Sequence, residues 1–293
     1  FGTYHFVQGV DAANSGILDH NKKVQSGELD APEKKMLKPV VGCEFYCTDD
    51  HTDRTHQNNG AQTVLLAKNK SGYHNLAKLC SISYTDGFYY VPRIDKQLLL
   101  QYKNDLIATT GGLGGEVPNL ILNVGEKQAE EAFLWWKEHF KDDLYIELLN
   151  HGLDEEAHVN RVLLGFAKKY DVKYFPSNNV YYLNQTDSEA HDILMCVKEG
   201  VKRDDDPQMV RGRAWIKKLF PNDQFYFKDQ SEMKALFADL PESFETITEI
   251  LDKIEPFTLK QEVLLPRFNI PAEFNDPEDE NDQGVRGENA YLR

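Results

Sequence analysis

The feature that most constrains this chain is an alternation of two apolar periodicities, sustained from residue 38 to residue 197. Lys38-Pro39-Val40-Val41-Gly42-Cys43-Glu44-Phe45-Tyr46 is a β-branched and aromatic run behind a proline, which is a strand signal. Thr63–Ala67 is a second run, nearly all apolar, as strands buried on both faces are. Helical spacing then takes over at Tyr73, Leu76, Leu79 and Cys80. Leu106–Thr110 is a third strand, ending in Gly111-Gly112-Leu113-Gly114-Gly115. From Glu126 to Phe140, the residues Ala129, Phe133, Trp136 and Phe140 mark one face of a helix. Leu144–Leu149 is a strand, and Asp154 is expected to cap a helix with Glu155 and Glu156 in its first turn. Val159, Val162, Leu163 and Phe166 supply that helix's buried face. Val172–Phe175 and Asp187–Val197 repeat the strand–helix pair. This order predicts an α/β fold with parallel pairing. Periodicity alone does not separate a barrel from an open sheet.

Beyond about residue 200 the pattern weakens. Lys202–Asp206 and Arg211-Gly212-Arg213 read as polar loop, and Ser231–Ile254 as one or two helices broken at Pro241. Pro271–Asp282 is acidic, proline-bearing and aperiodic, as a solvated linker is. With 293 residues, 41% hydrophobic and 11% aromatic, the chain can bury a sizeable core and is not disordered throughout. Its formal charge of -15 repels nucleic-acid phosphates and anionic lipid, so any such contact would be local. No apolar run approaches the roughly 18 residues of a membrane span. Cys43, Cys47, Cys80 and Cys196, in a chain without a signal peptide, are expected to be reduced thiols in a cytoplasmic protein. Both ends read as cuts: Phe1–Phe6 resembles the middle of a domain and Gly287–Arg293 the start of a helix.

Candidate chemistry gathers where predicted strands end, the edge at which parallel α/β folds build their sites. Glu44 lies in the first strand, His151 follows Leu149-Asn150, Asn178-Asn179 follow Phe175, and His191 opens the next helix. Carboxylate and imidazole on one rim are what a divalent metal site requires, yet a lone histidine after a strand is more often a hydrogen-bonded loop residue. Gly111–Gly115 lacks the G-x-G-x-x-G spacing and the Lys-Ser/Thr of a phosphate loop, so a tight turn before a helix at Pro118 is the better reading. Trp135-Trp136 is read as helix packing. Arg211, Arg213, Lys217 and Lys218 with Trp215 form a basic–aromatic cluster, more readily a solvated loop than a nucleic-acid contact. Cys47, His51 and His56 sit in an Asp-rich loop where adventitious metal is conceivable and a specific role is not expected.

Several motifs recur in one family, in order and spacing. They are Pro39–Tyr46, Leu65-Leu-Ala-Lys-Asn69, Gly72-Tyr-His-Asn-Leu76, Gly87–Arg93, Tyr145-Ile-Glu-Leu148 with His151-Gly152, Ala190-His-Asp-Ile-Leu194 and Leu236–Pro241. Together they resemble the N-terminal polymerase-and-histidinol-phosphatase (PHP) domain of bacterial replicative DNA polymerase III alpha subunits. The resemblance implies an α/β fold, a distorted seven-stranded β/α barrel of PHP type spanning 1–258 and incomplete at its N-terminus. An acidic connection, 259–293, would lead into a palm domain. It implies a parent protein that is a DNA-directed DNA polymerase, a nucleotidyltransferase of DNA replication, with Mg²⁺ in a palm beyond Arg293. It also implies partners: the proofreading exonuclease subunit, the polymerase core of the same chain, the replication holoenzyme and DNA through the parent, with no membrane.

In active relatives the rim holds up to three metal ions. The resemblance places Glu44 at the family's glutamate and His151 at its strand-end histidine, as remnant ligands of low occupancy. A His-x-His and a Thr-Asp-His-Gly would precede Phe1. Three positions depart: Gln62 stands where a histidine is expected, and Asn179-Val180-Tyr181 where the family has Asp-x-His. Asn lacks the charge that offsets a divalent cation, and Tyr, with an ordinary pKa near 10, ligates poorly at neutral pH. The expectation is a catalytically silent domain with no bound cofactor, which docks the exonuclease subunit. The alternative is an active phosphoesterase or 3′–5′ exonuclease using Zn²⁺ or Mn²⁺ at Glu44 and His151.

Overall fold

The computed structural model describes residues 2–259 and 271–274. The chain divides into two units, Phe1–Phe257 and Thr258–Arg293. The described part of the second unit includes one 3₁₀ turn, Ala272–Phe274. The expected entry into a palm domain lies outside the described residues.

Six strands form one sheet in the order β3-β1-β2-β4-β5-β6. They are β1 (Gly42–Thr48), β2 (Ala61–Ala67), β3 (Arg93–Asp95), β4 (Leu106–Thr109), β5 (Leu144–Leu149) and β6 (Tyr174–Ser177). The prediction of parallel pairing holds for β1 with β3, β4 with β5 and β5 with β6. It fails at β2, which runs antiparallel to both β1 and β4. The reason lies in the connection: residues 49–60 contain no crossover helix, and strands joined without one are antiparallel. Pro176 sits within β6, where a proline is tolerated because β6 is a margin of the sheet.

The helices are α1 (Gly2–Gln25), α2 (Lys70–Thr85), α3 (Lys96–Tyr102), α4 (Glu116–Asn123), α5 (Glu126–Phe140), α6 (Asp154–Tyr170), α7 (Ser188–Glu199), α8 (Arg211–Leu219), α9 (Gln230–Leu236) and α10 (Ser243–Lys253). The break expected at Pro241 separates α9 from α10. Arg211-Gly212-Arg213, read as loop, instead opens α8. Its amphipathic pattern is carried by only a few apolar residues among cations, which hides it from a hydrophobicity reading. Asp154 is the first residue of α6 rather than its cap.

Alternation along the strands divides the sheet into two faces. Phe45, Leu65, Ala108, Ile146 and Leu148 point into the main core, against Leu76 and Leu79 of α2, Phe133 and Trp136 of α5, and Val159, Leu163 and Phe166 of α6. Phe133 is fully buried, so truncation to Ala would leave a cavity and destabilise by about 3–5 kcal/mol. On the opposite face Ile107 and Tyr145 meet Ile250 and Ile254, so α10 covers part of it.

The first helix is held differently. Only Val7 and Val10 of α1 are buried. The chain returns along α1 in extended form, and two asparagines bind its backbone. Asn14 donates to Leu37 O and accepts from Leu37 N–H, both at 2.8 Å. Asn21 does the same with Lys34, again at 2.8 Å. The spacing is commensurate: seven helical residues rise about 10.5 Å and three extended ones about 10 Å.

Candidate functional site

Because β2 is reversed, the rim formed by the carboxyl ends of the other strands also receives the start of β2. Residues 49–51, Gln62, Asp95, Gly111–Gly115, Asn150-His151 and Asn178-Asn179 therefore share one edge of the sheet.

The most constrained side chain on that edge is His151, which is 1% exposed. Its backbone N–H donates to Glu156 Oε2 at 2.6 Å, and its Nδ1 lies 2.7 Å from Glu156 Oε1. The N–H of Asn179 donates to His151 Nε2 at 3.3 Å, so Nε2 accepts and the ring proton sits on Nδ1, facing Glu156. The ring stacks on Phe225 with centroids 4.5 Å apart and planes 10° apart. Asn222 Nδ2 holds the His151 carbonyl at 2.7 Å. Nδ1 is committed to Glu156, and the Nε2 lone pair, the one an ion would use, receives the 3.3 Å contact from Asn179 N–H, which an ion would have to displace.

Asn179 and Tyr181 sit in the loop that follows β6. Tyr181 N–H donates to Phe225 O at 2.9 Å. Its ring packs edge-on to Phe220 at 4.7 Å and tilts against His191 at 5.5 Å. At the position of the resembled family's histidine, an aromatic cluster of Tyr181, His191, Phe220 and Phe225 lines this end of the rim. Burial lowers the pKa of His191, with Asp192 opposing the shift. Asn178 Nδ2 donates to Tyr226 O at 2.9 Å, and its Oδ1 lies 3.5 Å from the ammonium of Lys228. Lys228 is buried, which lowers its pKa, and its charge opposes a second cation nearby.

Glu44 and Glu147 both lie on the second sheet face, because each neighbours residues that point into the main core. The Glu44 carboxylate keeps an exposed edge. Its pKa is nevertheless raised, first by burial within the sheet and then by the charge of Glu147. Burial raises Glu147 also, against hydrogen bonds from Ser177 and from Thr109, whose Oγ1 donates at 2.8 Å. Sequence reasoning missed Glu147. The available signal was a lone carboxylate inside the apolar run Leu144–Leu149. Among the described residues Glu44 and His151 share no hydrogen bond.

Gln62 lies against the glycine loop: its N–H donates to Gly114 O at 2.9 Å, and a Cβ on Gly114 would meet Gln62 Oε1 at 2.1 Å. Gly111 has φ 69° and a Cβ on Gly115 would stand 2.2 Å from Thr110 O. The loop thus needs glycines for its own packing, as the turn reading expects.

At the other end of the rim, Asp50, His51 and Asp95 place ligand-type atoms within 4.8 Å of one another. Asp95 is already engaged: it bonds His51 Nδ1, accepts His51 N–H at 3.2 Å and caps α3 by accepting Leu98 N–H at 2.7 Å. Arg93 pins this loop from beneath, donating to the carbonyls of His51, Asp53, Asn58 and Gly87. Burial pushes Cys43 up to about 11 and Cys47 up to about 12, so both are thiols at neutral pH and poor ligands.

The donor set around His151 therefore fits a metal ion poorly.

Comparison with known proteins finds a family match over part of the chain. Residues 12–151 match the PHP domain. The chain is 38% identical over 248 residues to DNA polymerase III subunit alpha of Borreliella burgdorferi, covering 83% of this chain and 21% of that protein. It is 34% identical over 265 residues to the Treponema pallidum subunit, covering 88% and 21%. It is 34% identical over 246 residues to the Thermus aquaticus subunit, covering 80% and 19%. The chain thus spans about a fifth of the length of these relatives. Among the described residues, no helix is long and apolar enough to cross a membrane.

Proposed function

We propose that this chain is the N-terminal part of a replicative DNA polymerase catalytic subunit, and that its PHP domain is a metal-poor scaffold docking the proofreading exonuclease subunit. The six strands belong, in this reading, to a distorted seven-stranded barrel. The parent protein adds deoxynucleotides to a primer with Mg²⁺ held elsewhere in its chain, within a cytoplasmic replication assembly. One observation carries the reading: both nitrogens of His151 are occupied, by Glu156 and by Asn179 N–H, while the neighbouring Tyr181 packs into an aromatic cluster. A rim built this way offers rigid shape in place of open coordination positions.

Metal content measured by mass spectrometry on protein purified without chelator tests this. Less than about a tenth of an equivalent of zinc, manganese or iron is expected, because ligands must present free lone pairs to hold an ion. One equivalent or more, lost on Glu44→Gln or His151→Ala, would replace the scaffold with the phosphoesterase reading. The paired change Asn179→Asp and Tyr181→His separates the causes. If the lost ligands alone silence the site, this variant acquires metal; if His151 is locked as described, it does not. Co-elution of the chain with its exonuclease subunit tests the docking role directly.

A further inference from the structure

The α8 helix has two unlike faces. Inward, Arg213 and Ile216 are buried, and the Arg213 guanidinium forks onto Asp192 of α7 at 2.6 and 2.8 Å. Outward, Arg211, Trp215 and Lys218 recur at i, i+4 and i+7, on one stripe. Trp215 is 49% exposed. Arg203 and Lys217, by contrast, are spoken for: both pair with Asp192, and Arg203 also with Glu189. Among the described residues, neither Arg211 nor Lys218 has a side-chain ion pair or hydrogen bond. With Glu199 and Val201 at the end of α7, these three residues line a groove of about 680 Å³. Gly212 sets its floor, since a Cβ there would stand 2.8 Å from Val201 Cγ1.

We propose that this groove docks an acidic peptide segment of a partner protein, an apolar side chain packing on Trp215 and carboxylates pairing with Arg211 and Lys218. The inference rests on the scaffold reading and deepens it by giving the docking surface a place and a chemistry. Charge complementarity is local: Arg211 and Lys218 flank one half-exposed indole, while Glu199 in the groove and the chain's net charge of -15 confine favourable acidic contacts to these two cations. Tryptophan and arginine are the side chains that dominate binding energy at protein interfaces. A guanidinium beside open space suits a carboxylate in bidentate geometry. A nucleic-acid strand fits less well, because it needs a continuous cationic track. Here Glu199 lies in the groove and Asp204, Asp205 and Asp206 occupy the connection before α8. α7 also leaves Ile193, Leu194 and Val197 exposed, apolar surface that a protein partner can cover and a phosphate backbone cannot.

The test selects displayed random short peptides on the 293-residue chain. Enriched sequences are expected to combine aromatic or aliphatic anchors with acidic flanks. The synthetic peptides should lose about 30-fold in affinity to Trp215→Ala, the loss typical of an interface hot spot. The double variant Arg211→Glu, Lys218→Glu should reverse the selection, enriching basic flanks. All three residues are exposed, and circular dichroism of each variant checks that it folds. Peptides without acidic bias, or binding indifferent to all three substitutions, would overturn the proposal. So would an oligothymidylate that quenches Trp215 fluorescence and displaces the selected peptides, which would make the groove a nucleic-acid contact. Failure of the scaffold reading is separately visible, because a metal-loaded, phosphoesterase-active chain can still pass or fail this selection.

Discussion

The buried pair of His151 and Glu156 is the residue-scale feature on which the rim depends. Removing the carboxylate by Glu156→Ala leaves two buried donors of His151 unmet and should destabilise by about 3 kcal/mol in urea unfolding. Glu156→Gln keeps one acceptor and should lose only about 1 kcal/mol; equal losses would mean the charge, not the hydrogen bonds, matters. Asp192 gives a pH signature. The Arg213 fork holds its carboxyl below the usual range, so the folded state binds its proton less readily than the unfolded chain. The pair's stabilisation is present above the ordinary carboxylate pKa and is lost as pH falls through the lower, folded value. Asp192→Asn should flatten that acid limb of the stability profile and, by stranding a buried guanidinium, lower stability at neutral pH by about 3 kcal/mol. Little of this was legible in the sequence. Glu156 reads there as a generic acid in a helix's first turn, and nothing local reveals that its carboxylate turns back to His151. Glu44 stands out as a carboxylate in the first strand that matches the family's glutamate, whereas Glu147, a carboxylate inside the apolar run Leu144–Leu149, is singled out only by the structure.

Among the elements, the glycine loop between β4 and α4 makes the sharpest prediction. Gly115→Ala forces a Cβ to within 2.2 Å of the Thr110 carbonyl, which no rotamer relieves, and should destabilise by about 2 kcal/mol. Gly165, in the interior of α6 with nothing within 4 Å of its would-be Cβ, should respond oppositely. Gly165→Ala is expected to gain about 0.5–1 kcal/mol, and thermal unfolding of the two variants side by side checks both signs. Element types were largely legible, since long runs such as Glu126–Phe140 and Leu144–Leu149 carry strong periodicity. The orientation of β2 was recoverable in principle: residues 49–60 hold no helical pattern, which forbids a parallel crossover. The three-residue β3 and the cation-rich α8 were not recoverable, because one is too short for a period and the other's pattern is carried mostly by charge.

For the whole molecule, cohesion is uneven. Ile107, Ala108 and Ile146 in the middle of the sheet are fully buried, whereas α1, with 24 residues, buries only Val7 and Val10. Native-state hydrogen exchange should therefore find the slowest amides in β4 and β5, and exchange in α1 faster by orders of magnitude despite its length. Protection of α1 equal to that of β5 would mean that it opens only with the global core. The paired asparagines of that helix carry a further consequence. Asn14 and Asn21 grip main-chain atoms alone, so the identities of residues 34 and 37 are free to drift. What must persist is the count between the grips. One residue added to either side would shift the second clasp out of phase, so descendants of this chain can rewrite the return segment's letters but not its length.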